Sequence, residues 1–224
     1  MIRWEKLDSA KVPGGEAELR LMRRGAEYSI MSGAIELMNS RLGGSEEALA
    51  TLAWARLQGR PNPRLLIGGL GMGFTLRAAL SVLPPSARID VAELSPAVIA
   101  WAHGPMSAVF AGCLEDPRVT IREGDVAPMI EAANAAYDAI LLDVDNGPGG
   151  LGRPANDDLY DLPGLAAARR ALRPGGVLAV WSAAPDEAFT RRLGRAGFIA
   201  DAVPVRAGRR GRGARHTIWL ATPR

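Results

Sequence analysis

The chain has 224 residues, 48% of them apolar, enough to bury one substantial core with at most a small appendage beside it. Its single cysteine, Cys113, excludes an internal disulfide framework and a Cys/His zinc cluster, so no metal site is expected and a reducing cytoplasm suits it. The formal charge of +3 is local: residues 206–215 (RAGRRGRGAR) hold five arginines, and the rest of the chain is slightly acidic.

Residues 1–44 read as a small β-rich N-terminal region, with short alternating runs at 18–23 and 28–31 separated by glycines. The opening stretch is too charged for the apolar core of a secretory signal. No later run approaches the ~18 apolar residues of a membrane span. A soluble, cytoplasmic protein without membrane contact is the expectation. From residue 45 to 224 the pattern becomes that of one Rossmann-like α/β domain. SEEALATLAWARL takes helical period, with Ser45 as the expected N-cap and Gly59 and Pro61 ending the helix.

Strands and helices then alternate, which predicts a doubly wound, mostly parallel sheet. Strands are expected at 64–67, 88–92, 119–121 and 139–142, ending near glycines, Glu93, Asp125 and Asp143 respectively. Helices should run from the glycines to Leu83, from a Ser95 cap to about His103, over 165–172, and over 186–195. Pro174-Gly175-Gly176 turns the chain into a strand at 177–181. Two last strands, near 198–205 and 216–221, form an antiparallel hairpin at the sheet edge. Its arginine-rich loop reads most simply as a solvated turn, with contact to RNA or an acidic partner as the alternative.

Gly68-Gly69-Leu70-Gly71-Met72-Gly73 lies between a predicted strand and a predicted helix. Gly69, Gly71 and Gly73 let the backbone turn tightly and approach a ligand, while the helix N-terminus offers unpaired N–H groups. Ligands of open α/β sheets bind outside the carboxyl ends of the strands, where the acidic residues fall. Glu93, 20 residues past Gly73, has the spacing of a carboxylate that accepts from both ribose hydroxyls of a nucleoside. Asp125 is placed to accept from an adenine amine, and Val126 to offer its backbone N–H to the ring. The Gly69-x-Gly71-x-Gly73 spacing fits the GxGxxG pattern of nicotinamide dinucleotide enzymes less well.

The Asp125 element, Asp143, LRPGGVL before the fifth strand and the closing hairpin together resemble class I S-adenosylmethionine-dependent transferases. Within these, the chain resembles the spermidine synthase (polyamine aminopropyltransferase) family. The resembling segments are Gly25 to Met38 leading into Ser45-Glu46-Glu47, IGGLGMGFTLRAAL, AELSPAVI, DPRVTIREGD and YDAILLDVDNGP. The resemblance implies that Glu93 holds the ribose, Asp125 the adenine end, and that Asp143 faces an acceptor amine at the reacting centre. It also implies an aromatic acceptor contact at Tyr160, and a homodimer through the N-terminal β segment.

Three departures stand out. The family's GGGDGG loop carries an Asp, and this loop has none. Its DSSDP reads Asp143-Val144-Asp145-Asn146-Gly147 here, and its YHE-type segment is not evident in Gly43-Gly44-Ser45-Glu46-Glu47. They shift the expectation from decarboxylated S-adenosylmethionine and aminopropyl transfer to S-adenosylmethionine and methyl transfer, onto a small amine-type acceptor.

An amine with a pKa near ~10 must shed its proton before attacking a sulfonium, and Asp143 is the expected base or orienting group. Asp145 is an expected acceptor contact. With Asp157, Asp158 and Asp161 it would make a cation-selecting acidic lid. His103 and His216 lie in no catalytic motif and read as structural, while Trp54, Trp101, Trp181 and Trp219 read as core. An RNA-modifying methyltransferase and a non-catalytic nucleoside-binding protein are the readings from other classes, and a nicotinamide-dependent oxidoreductase is a fourth.

Overall fold

The computed structural model describes residues 2–13, 17–57, 59–144, 147–148, 158–208 and 212–224. Four antiparallel strands come first, in order: β1 (Glu5–Lys11), β2 (Glu18–Arg24), β3 (Glu27–Ser32) and β4 (Ile35–Asn39). The remaining elements are α1 (Gly44–Arg56), β5 (Arg64–Gly68), α2 (Phe74–Val82), β6 (Arg88–Glu93), α3 (Pro96–His103), α4 (Ser107–Phe110) and β7 (Val119–Glu123). They continue as α5 (Val126–Ala132), β8 (Tyr137–Leu142), α6 (Leu162–Ala171), β9 (Leu172–Ser182), α7 (Glu187–Arg195), β10 (Phe198–Arg206) and β11 (Arg215–Pro223).

The second sheet has seven strands in the order β10, β11, β9, β8, β5, β6, β7, with β11 antiparallel to both its neighbours and the other pairings parallel. The chain runs outward from β5 through β6 to β7, then returns to the other side of β5 as β8. Such a reversal opens a crevice between the carboxyl ends of β5 and its neighbours. Side-chain alternation explains why both faces are covered. Leu65 and Ile67 of β5, Ala139 and Leu141 of β8 and Ile218 and Leu220 of β11 enter one core. Leu66, Ile140, Leu142, Trp219 and Ala221 enter the other. β8 is buried along its whole length, as expected of a central parallel strand.

The N-terminal sheet packs onto the first core through Leu19, Leu21, Tyr28 and Ile30, which share a cluster with Leu49 and Leu76. Trp101 of α3 adds a polar tie, its indole Nε1–H donating to Asp8 of β1 at 2.7 Å. The opposite core is keyed by Trp219: fully buried, edge-on to Phe189 at 5.0 Å, its N–H held by Thr190 at 2.8 Å.

Two local expectations change. Gly43, not Ser45, is the N-cap of α1; Ser45 lies within the first turn and is fully buried. Pro174-Gly175-Gly176 forms an irregularity inside β9 rather than a turn before it, because Leu172 already pairs with Tyr137 before the register resumes at Val177 with Ala139. Ser95 does cap α3, accepting from Val98 N–H. No helix among the described residues is long and apolar enough to cross a membrane.

Replacing Trp219 by Ala should cost about 3–5 kcal/mol in urea unfolding. Ile199→Ala, at a side chain 61% exposed on the edge strand, should stay within about 0.5 kcal/mol of the parent.

Candidate functional site

The glycine loop and the end of β8 are brought together by the sheet register. Gly68 is level with Ala92 of β6 and with Leu142 of β8, so Glu93 and Asp143 emerge on either side of the loop. Gly69 donates its N–H to Ala92, and Asp143 donates its N–H to Gly68. Gly69 has φ +94°, and a Cβ there would lie 2.3 Å from the carbonyl oxygen of Asp143. Only glycine meets both conditions. Gly73, also left-handed, is the N-cap of α2 and faces the Phe110 ring, where a Cβ would come within 2.6 Å. It serves helix packing, and it does not line the cavity that Gly69 and Gly71 line.

That cavity, of about 160 Å³, is also lined by Glu93, Ser95, Asp125, Val126 and Asp143, with Leu19, Leu37 and Met38 contributed by the N-terminal sheet and Val12 by the chain just after β1. Glu93 is buried, and each of its oxygens accepts one backbone N–H: Oε2 from Leu70 at 3.0 Å and Oε1 from Ser95 at 2.9 Å. Asp125 is the N-cap of α5, its Oδ1 accepting from Ala127 at 2.9 Å. Val126 opens α5 and packs its methyls over Gly68.

A second cavity, of about 140 Å³, meets the first at Asp143, which lines both along with Leu37, Met38 and Gly71. Glu46, Asn39, Leu70, Met72, Phe74 and Trp181 complete its wall. Asp143 Oδ2 accepts from the Thr75 hydroxyl at 2.6 Å, and Thr75 also contacts the Glu46 carbonyl at 3.3 Å. Burial pushes the Asp143 carboxyl up to about 7; the Glu46 charge adds to this and the Thr75 hydrogen bond opposes it. Glu46 is raised too, by burial first, against the stabilising hydrogen bond from Ser45. Ser45 in turn lies 2.8 Å from His216 Nδ1, and His216 meets the Trp181 ring edge-on.

The structure thus brings Gly69, Gly71, Glu93, Asp125, Val126 and Asp143 to one cavity system. Tyr160 is not in it: the ring is buried in the second core, edge-on to Phe189 at 5.7 Å, with Leu165 and Trp219 in the same cluster. Asp145 and Asp157 lie outside the described residues, as do 209–211 of the arginine-rich loop. Asp161, expected in an acidic lid, instead caps α6 by accepting from Gly164. Glu46, Thr75 and His216 had no motif to mark them, although the place of Ser45-Glu46-Glu47 in the first turn of α1 was the available signal. Trp181 and His216, read as purely structural, border or support the second cavity. Among the described residues no cluster of metal-ligating side chains occurs.

An acid raised in the folded state binds a proton that the unfolded chain has already released, so stability falls as pH rises between the two pKa values. Asp143 should therefore make the wild type progressively less stable from about pH 4 to about pH 7, with no further loss from this group above that. Thermal melts of Asp143→Asn should lack that component and show a higher Tm than wild type at pH 8.

Comparison with known proteins gives a consistent picture. The spermine/spermidine synthase domain model matches residues 45–188. Putrescine N-methyltransferase 4 of Nicotiana tabacum is 40% identical over 121 residues, covering 53% of this chain and 29% of that protein. The polyamine aminopropyltransferase of Nitrosomonas europaea is 35% identical over 127 residues, covering 57% and 37%. This chain spans less than half the length of these curated relatives. The spermidine synthase structure from Thermotoga maritima superposes with a TM-score of 0.73 at 20% identity, covering 96% of this chain and 72% of that one. A spermidine synthase in complex with the transition-state analogue AdoDATO gives 0.71 at 19% identity, covering 96% and 71%. The fold is that of the spermidine synthases within the class I methyltransferase-like proteins, and the chain belongs to the spermine/spermidine synthase family.

Proposed function

We propose that the chain transfers a methyl group from S-adenosylmethionine to an amine of a small polyamine-type acceptor. The observation that carries this reading is the meeting of two cavities at Asp143, one lined by Gly69, Glu93, Asp125 and Val126 and the other by Glu46. The first fits the cofactor by its donor set. Glu93 stands on its wall where a ribose would be held, Asp125 and Val126 frame a base, and Gly69 lets the loop close up against the Asp143 carbonyl, so that all of them line one cavity. Bound there, S-adenosylmethionine supplies a carbon already activated by its sulfonium.

The residues of the second cavity then have two tasks, to attract a cationic amine and to remove its proton. Glu46 and Asp143 provide negative charge in a partly desolvated recess, where it acts more strongly than on an open surface. Asp143 titrates near neutrality, where a base is available to accept a proton and able to release it afterwards. Thr75 fixes the carboxyl orientation through Oδ2. The apolar walls, Leu37, Met38, Phe74 and Trp181, suit the methylene chain between two amines.

Methyl transfer is favoured over aminopropyl transfer by the glycine loop. Its two non-glycine residues, Leu70 and Met72, are both buried and apolar, so the loop brings no carboxylate to an aminopropyl ammonium. The same acidic pair at the junction supports the second reading, aminopropyl transfer from decarboxylated S-adenosylmethionine, because it would hold that ammonium as readily as an acceptor's.

Titration calorimetry separates the two. Methyl transfer predicts tighter binding of S-adenosylmethionine and S-adenosylhomocysteine than of decarboxylated S-adenosylmethionine and methylthioadenosine, and the opposite order sinks it. Asp143→Asn should lower kcat by roughly 10²–10⁴ with S-adenosylmethionine binding largely retained. Glu93→Ala should instead weaken that binding.

A further inference from the structure

The second cavity holds two desolvated carboxylates side by side, and neighbouring like charges resist being ionised together. Recognition of a cationic amine needs one of them to stay charged while the other takes the proton. The structure supplies an asymmetry between them. Asp143 receives a single hydroxyl, from Thr75. Glu46 stands at the end of a chain: Ser45 Oγ lies 2.5 Å from Glu46 Oε2 and 2.8 Å from His216 Nδ1, across 171 residues of sequence.

A serine hydroxyl has one proton to give. If Ser45 donates to an ionised Glu46, then His216 must carry its proton on Nδ1 and donate to Ser45. If Glu46 is a carboxylic acid it donates to Ser45 instead, Ser45 donates to a bare Nδ1, and the ring proton moves to Nε2. The chain therefore has two complete arrangements, and the ionised form of Glu46 goes with the Nδ1–H tautomer. Ser45 is fully buried, which removes competition from water. His216 is half-buried on β11 with its ring against Trp181, and burial holds its pKa below the usual value, so it donates as a neutral imidazole. The other charged groups that act on this assembly are Glu47 on α1, whose charge adds to the rise at Glu46, and Asp143 after β8, which feels the charge of Glu46.

We infer that Ser45 and His216 are positioning residues that keep Glu46 ionised as the counter-charge for the acceptor's ammonium, leaving Asp143 free to take the proton. The inference deepens the amine-transferase reading and rests on it for the identity of the cation. Its core, a donor chain that selects the charged form of Glu46, is measurable without turnover.

Carboxyl-¹³C and histidine-¹⁵N NMR of the intact protein across pH 4–8 should show His216 as the Nδ1–H tautomer at neutral pH, switching toward Nε2–H as Glu46 protonates. Ser45→Ala should raise the Glu46 midpoint by roughly one unit, the loss of one hydrogen bond to a charged group. Glu46→Gln should abolish the tautomer switch. An Nε2–H ring throughout, a switch that persists in Glu46→Gln, or an unmoved Glu46 midpoint in Ser45→Ala overturns the inference. In steady-state transfer to putrescine, Ser45→Ala and His216→Gln should raise KM for the amine about tenfold with kcat within twofold, and S-adenosylmethionine binding unchanged. An unchanged KM also overturns it. If the wild type shows the NMR coupling yet transfers to no amine, the transferase reading fails and the donor chain stands.

Discussion

The close approach of the glycine loop to the end of β8 is the constraint on which the rest of the site depends. Gly69 reaches it with a left-handed backbone and no side chain, under the carbonyl of Asp143. The same contact lets Asp143 bond back to Gly68 and sets it on the wall shared by both cavities. A side chain at Gly69 would push the loop from the strand end and separate the two cavities. The sheet order makes this approach possible, because β5 has β6 on one flank and β8 on the other and presents Glu93 and Asp143 on opposite sides of one loop.

Four carboxylates gather around that contact, and their surroundings divide them. Glu93 and Asp125 accept backbone N–H groups from turns and a helix start on the wall of the first cavity. Glu46 and Asp143 face each other across a recess with few donors, and both are lifted from the usual carboxylate range. On the proposed reading the first pair suits binding and the second, desolvated pair suits proton management. The N-terminal sheet contributes to this division, since Leu37 and Met38 wall both cavities and help exclude water from the pair.

Most of the parallel sheet could be read from sequence because its cues are local. Apolar runs end in glycine or an acid, Ser95 sits where its helix needs a cap, and the 20-residue step from Gly73 to Glu93 lies within one strand-helix-strand unit, whereas the short α5 that Asp125 caps was not predicted. Ser45 misled for the same reason: its type and place suggested a cap, but Gly43 takes that position and the hydroxyl turns inward to Glu46 and His216. No spacing rule connects residues 171 apart, so the pairing of α1 with β11 was visible only in three dimensions. Tyr160 shows the reverse failure. The resemblance placed an aromatic residue near the acceptor, whereas this ring is taken up by Phe189 in the core beneath α6 and α7.

The central claim, that a nucleoside-borne methyl group and an amine meet at Asp143, is tested most directly by product analysis with S-adenosylmethionine labelled with ¹³C in its methyl group and putrescine as acceptor. The account predicts that the label appears in an N-methyl group of the diamine, with unlabelled S-adenosylhomocysteine released in equal amount. Label retained in methylthioadenosine, with a larger group carried to the amine, would contradict it.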